Sequence, residues 1–323
     1  MYNRGKVLLY FDFFLFLDAY FCVEFLNEMK ANKYYIIAFL SFFMWGFFSL
    51  ALKPIAHESS FDVLFFRILL SVFLTVALAA TIKRKTIQQS IAQYREMTSS
   101  VKKKAIGYNV LGGTLLGLNW FLFIYVVNQI SVQTASYAYL ICPIITSILS
   151  FLILKEQLQK VQWLAIVLCL AGSALYYVSN PNNLLFAIIV ASTYSFYLIS
   201  QKKNVFFDKF TTLVLQLSVI LLIALPYYFY HGFHFPSEVS FYVYILIIAT
   251  CFTVIPLYMN LYALQGVSAS TVGILIYVNP IITFLLSIFY FKEPIKVLQI
   301  ISYLLILFSI FIFNIKLFAK SEK

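Results

Sequence analysis

The chain carries little charge, and this scarcity excludes a soluble globular fold. Asp, Glu, Lys and Arg make up 11% of its 323 residues, and hydrophobic residues make up 63%. Soluble domains are usually about 25% charged, so this chain has too little polar surface to cover a globule in water. It is predicted to lie in a lipid bilayer. The four cysteines lack metal-site or disulfide spacing and are predicted to be small buried apolar residues.

Sequence motifs that carry catalysis are missing as well. There is no HExxH, no GxSxG, no glycine-rich phosphate loop and no pair of acids on one helix face. The histidines of "HGFH", His231 and His234, are too few to predict a metal site. We therefore expect no cofactor, no metal and no enzymatic activity. An integral membrane enzyme and a non-transporting membrane scaffold stay open as alternatives.

Apolar stretches fill most of the chain, and ten of them are long enough to cross a bilayer, which takes about 20 helical residues each. They lack the alternation of barrel strands, so they must satisfy their backbone hydrogen bonds as helices. The predicted spans are 34–53, 61–81, 106–127, 133–154, 159–178, 184–201, 211–230, 239–263, 269–291 and 296–315.

The basic residues are distributed unequally between the loops. If Lys30 and Lys33 are cytoplasmic and the spans alternate in direction, seventeen Lys and Arg residues fall inside, and two, Lys292 and Lys296, fall outside. This asymmetry predicts that both termini are cytoplasmic. Because the net charge of +11 follows the loops of a membrane protein, it does not indicate a nucleic-acid partner.

The first 28 residues do not fit this pattern. They are apolar but carry Asp12, Asp18 and Glu24, which are costly within a bilayer, and they lack the cleavage site of a signal peptide. Met29 begins a basic flank that leads directly into the first span. We expect residues 1–28 to be dispensable, either an atypical extension or a misassigned start.

One segment of the chain occurs twice. "CPIITSILSFLILKE" returns 137 residues later as "NPIITFLLSIFYFKE", and residues 131–158 and 268–295 agree at ten of 28 positions. Seven of these matches are polar residues or proline, which a shared apolar composition does not produce. Each half holds five spans, an odd number, so the second half enters the membrane inverted, as in many secondary transporters. The predicted fold is an all-α membrane protein of ten transmembrane helices in two inverted five-helix repeats, residues 29–178 and 179–323.

The duplicated region resembles a known family. "GLNWFLFIYVVNQISVQTASYAYLICPIITSILSFLILKEQLQKVQWLAI" is similar to the RarD-like permeases, whose EamA domains belong to the drug/metabolite transporter superfamily, and the resemblance covers about residues 30–315. Arg67 fits the same pattern, whereas Cys142 departs from it, since Asn is expected there as at Asn279. The resemblance implies a permease for small metabolites or drugs, embedded in the lipid of the bacterial cytoplasmic membrane. A homodimer is left open.

Arg67 is the most informative candidate site residue, because an ionisable side chain about two turns into the second span is costly to bury. We expect it either to bind an anionic group of the substrate, in a polar network with Asn119 and Tyr139, or to extend outward toward Asp62 in a structural role. Its counterpart in the second half is Gln216. The charge is therefore not required by the repeat itself.

Pro143 and Pro280 lie within predicted helices, where each removes a backbone hydrogen bond and bends the axis. Small or polar residues flank them at heptad spacing, which favours a cavity wall and close helix packing equally. The Lys-Glu pairs at 155/156 and 292/293 are expected to be solvated helix exits. The predicted substrate-binding residues are Arg67, Asn119, Trp120, Tyr139, Pro143, Asn260, Tyr277, Asn279 and Pro280.

No acidic residue lies deep within a predicted span, although the chain has twelve. Carriers coupled to protons or sodium commonly bind the ion with a buried carboxylate. We therefore expect facilitated diffusion or exchange of the substrate rather than ion symport, by alternating access.

Overall fold

The computed structural model describes residues 33–155, 157–179, 181–231, 235–263 and 275–321, with the side chains of residues 261 and 314–321 left aside. Every regular element within these ranges is a helix, as the apolar runs without strand-like alternation predict. The helices are α1 (Lys33–Gly46), α2 (Phe48–Leu52), α3 (Ser60–Ala80), α4 (Arg84–Glu96), α5 (Ser99–Tyr125), α6 (Val132–Leu154), α7 (Lys160–Ser179), α8 (Pro181–Lys203), α9 (Lys209–His231), α10 (Val239–Ala249), α11 (Ile255–Ala263), α12 (Val278–Phe289) and α13 (Val297–Ser321).

Most of these helices are long and apolar enough to cross a membrane. Eight helical segments of the described chain meet this criterion, and the shorter apolar helices Val278–Phe289 and Val297–Phe313 follow them. α1, α2 and the 3-10 turn Lys53–Ile55 together form one span, and α10 and α11 together form another. The prediction of an all-α membrane protein is therefore confirmed. Part of the ninth predicted span, residues 269–274, lies outside the described residues.

The basic loop between the second and third predicted spans contains a helix that the sequence analysis did not predict. In this helix, α4, the buried Ser90 hydroxyl hydrogen-bonds the hydroxyl of Thr211 in α9 at 2.9 Å. The following helix, α5, begins at Ser99, so Lys102–Lys104 are helical rather than part of a loop. Clustered charge suggested a loop, but charged and apolar residues at helical spacing also suit a helix at a membrane surface.

The helices of the two halves pack in matching pairs. The contact between α6 and α8 corresponds to the contact between α12 and α1. In the same way, the contact between α5 and α9 corresponds to the contact between α3 and α10. α7 pairs with α13, where a Cβ at Gly172 would lie 2.8 Å from Ile306 and the Ser302 hydroxyl donates to the Gly172 carbonyl at 2.7 Å. The remaining spans surround the centre of the bundle.

The helix ends form two opposite faces of the bundle, each named here after a residue at those ends. At the Glu293 face, the start of α3 meets the end of α9 through a hydrogen bond between Asp62 and Tyr228. At the same face, Glu293, which follows α12, is hydrogen-bonded to the start of α6. The Lys209 face lies at the opposite ends of these helices. It contains the start of α9 with α4 packed on it.

Candidate functional site: a central cavity

A cavity of about 260 Å³ lies among the helices at the centre of the bundle. Its wall comes from both halves of the chain: α1, α2, α3, α5 and α6 from the first, and α8, α9, α11 and α12 from the second. The volume lies just below the roughly 300 Å³ at which small-molecule pockets begin. Aromatic side chains supply much of the wall, namely Phe42, Trp45, Phe48, Trp120, Phe123, Tyr139, Tyr194, Tyr197 and Phe252.

The cavity opens toward the Lys209 face. On α9 its wall begins at the first residue, Lys209, and reaches Gln216, and on α8 it is formed by residues 194–201 near the helix end. Its inner end lies at Arg67 and Tyr139. Each is the eighth residue of its helix, about 10 Å from the Glu293 face at 1.5 Å per residue. The cavity thus extends about two-thirds of the way from the Lys209 face to the Glu293 face.

Arg67 lies at this inner end with 4% of its surface exposed. Its guanidinium carbon is 4.2 Å from the ring centroid of Trp120 and 4.9 Å from that of Phe48, so aromatic rings pack against the cation. Its Nε donates a hydrogen bond to the Thr253 hydroxyl at 2.8 Å. Within the described part of the chain, no carboxylate pairs with this side chain, and its terminal N–H groups have no acceptor.

Breaks in the eighth span position the groups around Arg67. The turn Thr250–Val254 is π-helical, and Thr253 is fully buried within it. Pro256 has no N–H, so the usual helical donor to the Phe252 carbonyl is absent. The Trp45 indole N–H donates to this carbonyl at 3.0 Å. α1 is thereby fastened to the irregular segment that holds the partner of Arg67.

Tyr139 reaches the cavity from α6, and Asn119 holds it in place. The Tyr139 hydroxyl donates to Asn119 Oδ1 at 3.1 Å. Asn119 is fully buried, and its Nδ2 donates to the Val190 carbonyl at 2.9 Å and to the Thr193 hydroxyl at 3.1 Å. Through these hydrogen bonds, Asn119 joins α5, α6 and α8.

Asn260 and Asn279 place two amides in the wall on the side of the second half. Asn279 Oδ1 accepts a hydrogen bond from the Thr283 hydroxyl at 3.2 Å, and the same hydroxyl lies 3.1 Å from the Gly46 carbonyl. Asn260 Oδ1 has no hydrogen-bond partner among the described residues.

Five of the nine predicted substrate-binding residues line the cavity: Arg67, Trp120, Tyr139, Asn260 and Asn279. The other four lie outside the described lining. Pro280 is buried and its carbonyl accepts a hydrogen bond from Ser136 at 2.7 Å, which joins α12 to α6. The neighbouring Tyr277 is buried at the start of α12. Asn119, Pro143, Tyr277 and Pro280 remain predictions as substrate contacts.

The cavity wall is basic at both ends. Arg67 and Lys209 are the charged residues among the described lining side chains, and no Asp or Glu belongs to that lining. Gln216, the predicted counterpart of Arg67 in the second half, also lines the cavity and donates to Gln201 Oε1 at 3.0 Å. At Gly112 a Cβ would lie 2.5 Å from each of these amide nitrogens, so glycine makes room for both. Such a wall attracts anions.

The Glu293 face is closed by a cap that the second half places on a helix of the first. The Glu293 carboxylate accepts hydrogen bonds from the backbone N–H groups of Val132 and Gln133 at 2.8 and 2.9 Å, at the start of α6. The expectation of a solvated exit is therefore wrong for Glu293, whereas Lys292 and Lys155 are exposed as expected and Glu156 lies outside the described residues. Lys292 has a φ of 56° and its counterpart Lys155 a φ of 59°, so both helices end in the same left-handed turn.

Further contacts around Gln133 reinforce this closure. Its side chain accepts a hydrogen bond from Gln299 at 3.3 Å, and its carbonyl accepts one from the Tyr303 hydroxyl at 2.8 Å. The Lys296 amine donates to the Ser179 carbonyl at the end of α7 at 2.6 Å. These contacts hold the starts of α6 and α13 and the end of α7 together.

Asp62 closes the same face between α3 and α9. It is buried and accepts a hydrogen bond from the Tyr228 hydroxyl. The Tyr228 ring stacks on Phe65, with 3.9 Å between ring centroids. Arg67 instead contacts Trp120, so the structure does not adopt its predicted alternative extension toward Asp62.

Sequence reasoning missed several residues that shape the site. Pro256 carried a usable signal, because a proline inside an apolar span removes the donor to the carbonyl four residues earlier. Phe48 and Thr253 carried none. They look like ordinary residues of apolar spans, and their contacts with Arg67 depend on helix breaks that composition and spacing do not show.

A bundle of membrane-spanning helices around a solute-sized cavity open at one end is the architecture of a membrane transporter. The sequence of each half of the chain also supports membership of this class. The chain belongs to the EamA-like transporter family, whose pattern matches residues 32–178 and 182–315. Relatives named RarD also confirm the resemblance to RarD-like permeases.

Similar bacterial proteins extend along most of the chain. The uncharacterized transporter YojE of Bacillus subtilis is 31% identical over 275 residues, covering 83% of this chain and 89% of YojE. Protein RarD of Escherichia coli is 24% identical over 277 residues, covering 83% and 90% of the two chains. A crystal structure matches 88% of this chain and 98% of its own with a TM-score of 0.59 at 15% identity, which shows a shared fold.

Proposed function

We propose that this membrane transporter moves small solutes across the bacterial cytoplasmic membrane by alternating access. The observation that carries the proposal is a cavity built from both halves of the chain, which opens to the Lys209 face and ends about 10 Å from the Glu293 face. A channel needs a continuous pore, whereas a carrier needs a central site that is exposed to one side at a time. The structure then represents one of two states.

We attribute the second state to inverted repeats, residues 29–178 and 179–323. The matching helix pairs and the shared left-handed turns at Lys155 and Lys292 support this assignment. Lys155 follows the end of α6, whereas the turn at Lys292 leads into the Glu293 cap at the start of α6. The 23 residues of α6 separate these ends by about 34 Å. Exchanging equivalent contacts between the halves would open the Glu293 face and close the other.

We assign the Lys209 face to the cytoplasm, with both termini on that side. Lys33, Lys83 and Lys102 support this orientation, since they lie at the helix ends that share this face and pack over tyrosine rings there. The cavity of the present state would then face inward. Because the described lining contains no carboxylate, we favour facilitated diffusion or exchange over proton symport.

Counterflow in liposomes tests the proposal. Purified protein is reconstituted, the vesicles are loaded with a bacterial metabolite extract, and uptake of isotope-labelled extract is followed by mass spectrometry. We expect saturable uptake of a subset of solutes, accelerated by the same solutes inside and insensitive to an imposed pH gradient. Uptake that rises linearly with concentration would indicate a pore instead.

A reversible cross-link supplies the matched control. In a variant without the four native cysteines, Gln133→Cys and Gln299→Cys are bridged with a reducible bifunctional thiol reagent, because these side chains meet at the closed face. Counterflow should stop when the bridge forms and return when it is reduced. Transport that continues through the bridged protein contradicts alternating access.

A further inference from the structure

Resting on the proposed transport function, we infer that the substrate is an organic monocarboxylate with a planar apolar body and no ammonium group. Arg67 supplies the positive charge for the carboxylate. It is the charged side chain at the inner end of the cavity, it is 4% exposed, and no described carboxylate neutralises it. A buried cation without an anionic partner is costly, and a bound anion removes that cost.

The orientation of the guanidinium favours a carboxylate in particular. Trp120 and Phe48 pack against the cation at 4.2 and 4.9 Å, and Thr253 accepts from Nε at 2.8 Å. The N–H groups on the two terminal nitrogens are left over, and they form a planar fork. Such a fork matches the two oxygens of a carboxylate with two parallel hydrogen bonds.

The rest of the cavity wall indicates what the non-carboxylate part of the substrate is. The rings that line the cavity beyond Arg67 include Phe123, Tyr139, Tyr194 and Tyr197, and aromatic faces pack well against planar apolar groups. The cavity of about 260 Å³ suits a small molecule rather than a peptide. An aromatic or otherwise conjugated acid fits this description.

The same wall disfavours two other classes of anion. An amino acid would bring an ammonium group into a lining that has no described Asp or Glu to accept it. A phosphate ester carries close to two negative charges, but the counterpart of Arg67 in the second half is the neutral Gln216. One buried cation matches one carboxylate.

Four probes of nearly equal size separate these classes. 3-Phenylpropanoate has the carboxylate alone, 3-phenylpropanamide replaces it with a neutral amide, phenylalanine adds an ammonium, and phenyl phosphate replaces the carboxylate. Each is titrated calorimetrically into the purified protein in lipid nanodiscs. We expect 3-phenylpropanoate to bind about tenfold or more tightly than any other probe, as the loss of one charge-assisted hydrogen bond implies. Equal or tighter binding of the amide, the amino acid or the phosphate overturns the inference.

Variants assign the selectivity to Arg67. Arg67→Gln, which copies the residue of the second half, should weaken 3-phenylpropanoate binding about ten- to a hundredfold and leave the amide unchanged. Arg67→Lys keeps the charge but loses the fork, so its affinity should fall between the two. The matched control, Lys85→Gln on the exposed surface of α4 and outside the cavity lining, removes a positive charge away from the site and should leave the affinity unchanged. Unchanged acid binding by Arg67→Gln contradicts the site.

These measurements separate the ligand from the transport function. If Arg67→Gln does not fold, the comparison of four probes on the native protein still decides the inference. Selective acid binding without counterflow supports the site and contradicts the proposed permease. Saturable counterflow of neutral solutes, together with no selective binding of the acid, contradicts the site and leaves the permease intact.

Discussion

At the scale of single residues, the contact between Trp45 and the Phe252 carbonyl shows how a proline is compensated in this bundle. Pro256 removes the helical donor to that carbonyl, and the Trp45 indole replaces it at 3.0 Å. Trp45→Phe should therefore lower the free energy of unfolding by about 0.6–2 kcal/mol, the usual range for a hydrogen bond between membrane helices. Detergent unfolding curves measure this change.

The indole of Trp45 also packs in the cavity wall, so a second variant isolates the hydrogen bond. Pro256→Ala restores an N–H in α11, and Trp45→Phe should cost less in that background. Trp163→Phe is the control, because it makes the same substitution at a tryptophan that is 41% exposed. It should change the free energy of unfolding little. Equal losses of stability with and without Pro256 would assign the effect of Trp45 to packing alone.

The sequence pointed to Arg67, which lines the cavity, but it did not reveal the role of Glu293. Arg67 was recognisable because a cation inside an apolar span needs a reason to be there. Glu293 was misjudged because its position after a helix looks like a solvated exit, while its actual partner is the start of α6, 160 residues away in the sequence. No local pattern encodes such a distant cap.

At the scale of helices, Gly46 controls how closely α1 approaches α12. A Cβ at this position would lie 2.6 Å from Ile282 Cβ, and the Thr283 hydroxyl lies 3.1 Å from the Gly46 carbonyl. Gly46→Ala should therefore destabilise the protein by about 1–3 kcal/mol, the typical cost of overpacking. Thermal unfolding in detergent measures the loss.

Both the rescue and the control for Gly46 are available in the chain. Ile282→Ala removes the clashing atoms beyond Cβ and should recover part of the stability lost in Gly46→Ala. Gly107→Ala adds a Cβ to α5 with nothing within 4 Å, so helix propensity should leave it neutral or slightly stabilised. If both glycine variants were equally destabilised, close packing at Gly46 would not be the cause.

The cap by Glu293 gives a prediction about the closed face. Glu293→Gln keeps the shape but loses the charge that the first turn of α6 favours, so this face should open more often. Gln299→Cys serves as the reporter, because the native Gln299 is only 4% exposed. In the Glu293→Gln background, thiol labelling of this cysteine from the Glu293 face should be about five- to thirtyfold faster. Glu156→Gln, the repeat counterpart, is expected not to speed it. Labelling at the native rate in Glu293→Gln would show that the cap does not hold this face shut.

The helices themselves were largely predictable, because apolar runs of about 20 residues have few alternatives in lipid. The exceptions are instructive. α4 was missed since the charges of the loop concealed its helical spacing. The π-helical turn Thr250–Val254 was missed because no residue type specifies it. Apart from the signal of Pro256, the helix breaks that shape the cavity were therefore the least predictable part of the fold.

At the scale of the whole molecule, inversion of the two halves is the proposal on which the carrier mechanism depends. It places Lys155 and Lys292 on opposite sides of the membrane, although both follow the same repeated motif and share a φ near 60°. A parallel duplication would place both on the same side, since equivalent residues would then have equivalent depths. The two arrangements therefore differ in whether Lys155 and Lys292 are reached from opposite sides of the membrane or from the same side.

Labelling of single cysteines measures this property. In the variant without native cysteines, Lys292→Cys should react with a membrane-impermeant maleimide in intact cells. Lys155→Cys should react only after the cells are permeabilised. Lys160→Cys, at the start of α7, serves as the control for the Lys155 side, because the short connection between α6 and α7 cannot cross the bilayer. Reaction of Lys155→Cys and Lys292→Cys from the same side would rule out inverted repeats. Without inversion, the closed Glu293 face and the open Lys209 face could not exchange roles by symmetry, and the cavity would need another route to the far side.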